Sequence, residues 1–236
     1  TPSSFGTVML RVKTMIIDPH KLNVKWLASF PKSGNTWVRF FLANLLVPNP
    51  SRALTLDEVS SMPFYVDTKK IMVNPRQEYF GKAHRMYTEE RHGTTPAIYI
   101  VRDPVDIVPS AAEFFAVTPQ RMAKEVSKDW PRHIESWWNH CSLCLKYENM
   151  PNNFHTLAQH IDAPDDFGSV ATAIAHTDFK KLKKDEEDNG FSEASEIGGR
   201  FFRHGKSGQG RELLTDKQVA SIIRGAGEWY ERLGYN

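Results

Sequence analysis

The sequence predicts an α/β fold: a single domain with a central, mainly parallel sheet flanked by helices. Three observations predict it. Strand-like and helix-like segments alternate along the chain, the pattern of parallel strands joined by helical crossovers. The run Ala97-Ile98-Tyr99-Ile100-Val101 is apolar throughout, as a strand buried on both faces is. With 236 residues, the chain is long enough for one large domain with a real core. The expected domain is therefore 1–236, with the order of segment 1–23 left open.

The elements follow in order. Val24 to Phe30 is an apolar strand, and Pro31 to Asn35 is a turn. Thr36 to Leu46 reads as a helix, because Trp37, Phe40, Phe41 and Leu45 recur at helical spacing and Pro48 and Pro50 stop it. Thr55 with Glu58 forms a capping box for a short helix. Glu78 to His84 is a strand end. After the strand Ala97–Val101, Asp103-Pro104 opens a helix that runs to Phe115, which Pro109 is expected to kink or delay. Trp130 to His140 reads as helix and Leu143 to Lys146 as strand. Lys180 to Asp188 alternates lysines with acids, as a solvated helix does. Thr215 and Gln218 cap a final helix ending near Gly234.

Composition narrows the function classes. The chain is 40% hydrophobic and 25% charged, which excludes a disordered chain. A net charge of +2 is too small for a general polyanion binder, so no nucleic-acid partner is expected and any charged ligand must be held by local residues. No apolar run reaches the roughly 18 residues of a membrane span. Thr1 to Lys25 lacks a signal-peptide pattern. With two cysteines only, Cys141 and Cys144, no disulfide framework is expected, so the reading is a cytoplasmic protein. Their C-x-x-C spacing has no second pair, which leaves zinc or redox chemistry a weak reading, and no metal is expected.

Four segments carry chemistry. Pro31-Lys32-Ser33-Gly34-Asn35-Thr36-Trp37 lies between a strand and a helix, where backbone N–H groups and the helix N-terminus attract anions. Lys32 adds a mobile cation, Ser33 and Thr36 add hydroxyls, and Gly34 permits close backbone approach. The order is not that of the nucleoside-triphosphate loop, since the lysine precedes the glycine. An ordinary turn with a surface lysine remains the alternative. Arg102 leaves the end of a buried strand and Ser110 follows eight residues on, so both can reach one anion, the arginine by a forked contact. An arginine–aspartate turn pair is the alternative there.

Phe201 to Gly210 holds Arg203, His204, Gly205, Lys206 and Gly208, a flexible cationic loop able to close over phosphate, although most such loops are merely solvated. Among nine histidines His84 stands out, because Lys82 two residues before it shares its face on an extended strand. An imidazole there can take a proton near neutral pH.

Together these segments resemble the cytosolic-type sulfotransferases, which use 3'-phosphoadenosine 5'-phosphosulfate (PAPS), and look most like short bacterial members carrying PKSGNTW. The resemblance runs from about Lys25 to the C-terminus and implies a single domain related to the P-loop nucleotide kinases. It implies that Lys32 meets the 5'-phosphate and bridging oxygen, that Ser33, Gly34, Asn35 and Thr36 line the phosphate, and that Trp37 stacks near the adenine. It implies that Arg102 and Ser110 hold the 3'-phosphate and that Arg203, His204 and Gly205 clamp it. His84 matches the family's catalytic base in K-T-H, and Lys82 its lysine at the transferring sulfonate. Leu145 to Met150 is similar to the family's R-Y-E-D-[LM] segment, and His133 to Trp138 to its H-x-x-S-W; Tyr147 also reads as a core aromatic.

The departures are Ala83 and Asn35 for threonine, His204 for lysine, Gln209 for aspartate and Gly210 for tryptophan. The implied reaction is in-line sulfonate transfer to a hydroxyl or amine of a small acceptor, leaving 3'-phosphoadenosine 5'-phosphate (PAP). A small-molecule kinase, a non-catalytic nucleotide binder and a membrane-tethered polysaccharide sulfotransferase are the rivals. Phe64, Tyr65, Phe114, Phe115 and Met122 suggest an apolar or aromatic acceptor, or ordinary core packing.

Overall fold

The structure is a computed structural model and describes residues 24–46, 52–61, 65–66, 72–73, 79–163, 167–194, 199–203 and 205–235. Segment 1–23, Phe64 and His204 therefore lie outside the described residues.

The sheet is built from β1 (Val24–Ser29), β2 (Tyr65–Val66), β3 (Met72–Val73), β4 (Tyr79–Ala83), β5 (Ala97–Val101) and β6 (Cys141–Lys146), in the order β2-β4-β1-β5-β6. These neighbours are all parallel, and β3 pairs antiparallel with β4. The predicted α/β class and parallel sheet are what is found. Alternation along β1 divides the core between two faces. Leu27 packs with Ile98 and Ile100 on one side, and Val24, Trp26 and Ala28 with Tyr99 and Val101 on the other. In β6 an irregularity beside Ser142 lets both Cys141 and Cys144 pack toward the second side. Burial raises the Cys144 thiol to about 12, so it is an inert packing group.

The helices cover both faces. α1 (Asn35–Leu46) is buried on nearly every side, and α2 (Leu56–Ser61) opens with the expected box: Thr55 N–H donates to Glu58 at 2.9 Å, and Glu58 N–H to the Thr55 hydroxyl at 3.2 Å. The short α3 (Glu89–His92) precedes β5. α4 (Pro104–Phe114) starts at once after β5, because the Asp103 carboxylate caps it by accepting from Val105 N–H at 2.8 Å. Pro109 therefore does not delay the helix; proline fits the helical φ and only withholds an N–H from the Val105 carbonyl.

Three further expectations are corrected. α5 (Pro119–Trp138) begins eleven residues before the predicted helix start at Trp130, since Thr118 caps it and Pro119 suits a first turn. After α6 (Met150–His160) and α7 (Phe167–His176), α8 (Phe179–Asn189) is not wholly solvated: Glu186 turns inward and accepts from Phe201 and Phe202 N–H. After α9 (Gln209–Leu213), the C-terminal helix is two, α10 (Asp216–Ala226) and α11 (Glu228–Arg232), parted at Gly227 with φ 60°. Among the described residues no helix is long and apolar enough to cross a membrane.

Candidate active site

β1 lies between β4 and β5, so the chain leaves it toward both halves of the sheet. A crevice opens at the carboxyl ends of strands where the order reverses this way. Here it is a cleft of about 540 Å³, and the residues just beyond β1, β4, β5 and β6 line it: Lys32, His84, Arg102 and Tyr147. Four segments distant in sequence meet because parallel strands all end on one side.

The turn after β1 is braced from below. Asn35 donates from its amide to Leu27 O at 2.8 Å and to the Ser29 hydroxyl at 3.2 Å, tying the start of α1 to the strand it follows. Gly34 has φ 95°, and a Cβ there would lie 2.5 Å from the Tyr147 ring, so glycine is required twice over. Lys32 has φ 66°, a left-handed backbone that a side chain occupies only under strain. Its ammonium lies between two aromatic rings, 3.9 Å from the centre of Phe114 and 4.0 Å from that of Phe201. Burial, then the charges of Arg203, Arg102 and Lys82, lower its pKa to about 7.

Beside this turn stands a second cationic group. Arg102 donates to Lys32 O at 3.1 Å and to Lys206 O at 3.3 Å, and its guanidinium stacks 4.2 Å from the Tyr147 ring. Arg203 donates to Ser110 at its carbonyl and hydroxyl and pairs with Glu113. The loop carrying Arg203 is anchored by Asp106, 3% exposed, whose two oxygens accept from Gly208 and Gly210 N–H at 2.7 Å each. Gly210 seats α9 on α4: a Cβ there would lie 2.2 Å from the Val105 carbonyl oxygen, the one Pro109 cannot bond.

On the other wall, His84 Nδ1 lies 2.8 Å from Ser29 O, a pure acceptor, so Nδ1 carries the proton and Nε2 is left with its lone pair. His133 Nε2 lies 3.2 Å from His84 O, and Tyr99 OH 2.7 Å from His133 Nδ1, fixing the backbone under the imidazole. Burial and the charge of Lys82 push the His84 pKa down to about 3, so the ring is neutral over the physiological range. Lys82 lines the same wall and pairs with Glu193 at 3.2 Å.

A family model described as the sulfotransferase domain matches residues 24–234. The chain belongs to the sulfotransferase family. It is 24% identical to Sulfotransferase 4A1 of Mus musculus over 162 residues, 58% of this chain and 57% of that one. It thus spans little more than half the length of that relative. It is also 24% identical to Flavonol 3-sulfotransferase of Flaveria bidentis over 261 residues, 91% of this chain and 83% of that one. The fold is like that of mouse sulfotransferase SULT7A1, solved with PAP, at TM-score 0.62 and 18% identity over 91% of this chain and 86% of that one. Retinol dehydratase, solved with androsterone and PAP, is similar at TM-score 0.62 and 14% identity over 91% of this chain and 81% of that one.

In this member of the family the cleft gathers Lys32, Gly34, Asn35, Thr36, Trp37, Lys82, His84, Arg102, Ser110, Arg203 and Gly205. Among the described residues Ser33 is the exception: its hydroxyl is fully buried, has no hydrogen-bond partner among them and does not line the cleft. Trp37 donates to Thr177 O at 2.8 Å and meets Tyr147, Phe154 and Phe179 edge-on, which makes it a wall of the cleft rather than a free platform. Tyr147 proves to be both core aromatic and site wall, 7% exposed yet lining the cleft. Sequence reading missed Arg39, Asp106 and Glu193. Asp106 had a signal, an acid one turn inside the helix after Arg102; Arg39 and Glu193 are 154 residues apart and had none.

Proposed function

We propose that this chain transfers a sulfonate group from PAPS to a hydroxyl or amine of a small acceptor. One observation carries the reading: two separate cationic groups and a neutral imidazole share one cleft, as a donor with two anionic ends and a reactive end requires. The 5'-phosphate is assigned to the turn 31–36 and the N-terminus of α1, with Lys32. The 3'-phosphate is assigned to Arg102, Ser110 and Arg203, where a dianion would relieve the repulsion between cations that, after burial, lowers the pKa of Lys32 and Arg203. Trp37 bounds the space for the adenine.

In the reaction, a bond forms between the acceptor oxygen or nitrogen and sulfur while the bond from sulfur to the bridging phosphate oxygen breaks. His84 Nε2 receives the acceptor's proton, and Lys32 and Lys82 offset the charge left on PAP. Burial and then the nearby cations set the His84 pKa near 3, and donor anions next to the ring would raise its basicity. The two large apolar side chains exposed among the described residues, Phe115 and Leu213, both line the cleft, which supports an acceptor with an apolar body.

The test compares thermal shifts with PAP and with ATP–Mg²⁺, then assays transfer of radiolabelled sulfonate from PAPS to an acceptor library. Stabilisation by PAP and a labelled product are expected. A shift with ATP–Mg²⁺ alone would favour a kinase, and PAP binding without any transfer a non-catalytic nucleotide binder.

A further inference from the structure

Lys82 ends in a cluster more elaborate than a lysine facing an anion needs. It projects from β4 and is mostly buried. Among the described residues, the charged and titratable groups facing it are Arg39 from α1, Lys32 from the first turn, His84 beyond β4, and Glu193 from the segment after α8. Of these four only Glu193 is negative. One of its oxygens is held by Arg39, a buried side chain, and the other accepts from Lys82 Nζ at 3.2 Å.

We propose that Glu193 is a positioning residue for Lys82: gripped at one oxygen by Arg39, it uses the other to hold the Lys82 ammonium in place and charged on the cleft wall. The inference rests on the reading that Lys82 serves the transferring sulfonate. Burial and the neighbouring Arg39 charge both favour loss of the Lys82 proton, and Glu193 opposes them. Burial acts against ionised Glu193 too, but Arg39 and Lys82 outweigh it and hold the carboxyl below its usual range. One carboxylate shared by two cations leaves the cluster net positive, so it still attracts an anion. A counter-ion for Arg39 alone would not need its second oxygen turned to the cleft.

The test is the NMR titration of Lys82 in protein with isotope-labelled lysine side chains, its signal assigned by its loss in Lys82→Arg. In Glu193→Gln the Lys82 midpoint moves to lower pH, and in Glu193→Asp it lies between that and the unmutated value. An unmoved midpoint in the folded variants overturns the proposal even if Tm falls, because that is what a partner for Arg39 alone would give. If Glu193→Gln does not fold, Glu193→Asp decides by the same criterion. PAP binding is measured on the unmutated protein as well. Failure of the unmutated protein to bind PAP sinks the sulfotransfer reading; PAP binding with an unmoved Lys82 midpoint sinks only this inference.

Discussion

Arg203 Nη2 donates to both the carbonyl of Ser110, at 2.7 Å, and its hydroxyl, at 3.3 Å, across 93 residues of chain. The contact closes the cationic loop onto the helix that follows Arg102, so Arg203 and Ser110, both assigned to the 3'-phosphate, stand side by side.

Arg102→Ala and Arg203→Ala should each weaken PAP by about 10–100-fold, the range of one charge-assisted hydrogen bond. Adenosine 5'-phosphate, lacking the 3' group, should lose much less. Calorimetric titration of both nucleotides checks this, and equal losses for the two would remove the 3'-phosphate from these arginines.

His84→Ala should keep PAP binding and lose about 10²–10⁴-fold in turnover. Acid stability gives a second readout. The native ring titrates near 3 and the unfolded ring near 6.5, so the unfolded chain binds the extra proton between those values. Its contribution to stability is present above pH 6.5 and lost as pH falls toward 3. Urea unfolding of His84→Ala should show a shallower decline across that window.

Lys32 is held near pKa 7 against 10.5 when unfolded, so the unfolded chain takes up the proton more readily between those values. Removing the group with Lys32→Met should raise stability, and with it Tm, below pH 7. The gain should vanish by pH 10.5, and PAP binding should be lost throughout. In the unmutated protein, PAP should bind with proton uptake above pH 7, read as a buffer-dependent heat in calorimetry.

Asp106→Asn leaves one of the Gly208 and Gly210 N–H groups without its acceptor, and should destabilise by about 1–3 kcal/mol. Gly210→Ala should cost a similar amount, because its Cβ meets the Val105 carbonyl. Limited proteolysis should cut both variants faster between Gly205 and Gly208, with weaker PAP binding. Resistance equal to the unmutated protein would show that the loop is held by something else.

Much of the site was legible because its residues lie in short local patterns. The turn 31–37 sits where a strand hands over to a helix, and Arg102 and Ser110 are spaced by one strand end and two helical turns. Lys82 and His84 share a face by simple alternation. The departure at Gly210 could not be weighed from sequence, since its meaning lies in the Val105 carbonyl freed by Pro109 on another helix. The buried hydroxyl of Ser33 was equally hidden, because donor chemistry says nothing about which way a side chain faces.

The order of residues by itself determined the α/β class, the turn between β1 and α1, and the imidazole–lysine pair, because each depends on backbone periodicity and neighbours within a few positions. Only the tertiary structure decided that Glu193 meets Arg39 and Lys82, that Phe114 and Phe201 enclose Lys32, and that Asp106 fastens the cationic loop. Those partners are brought together by the way helices pack over strand ends, and contact energies between residues far apart in the chain leave no local trace.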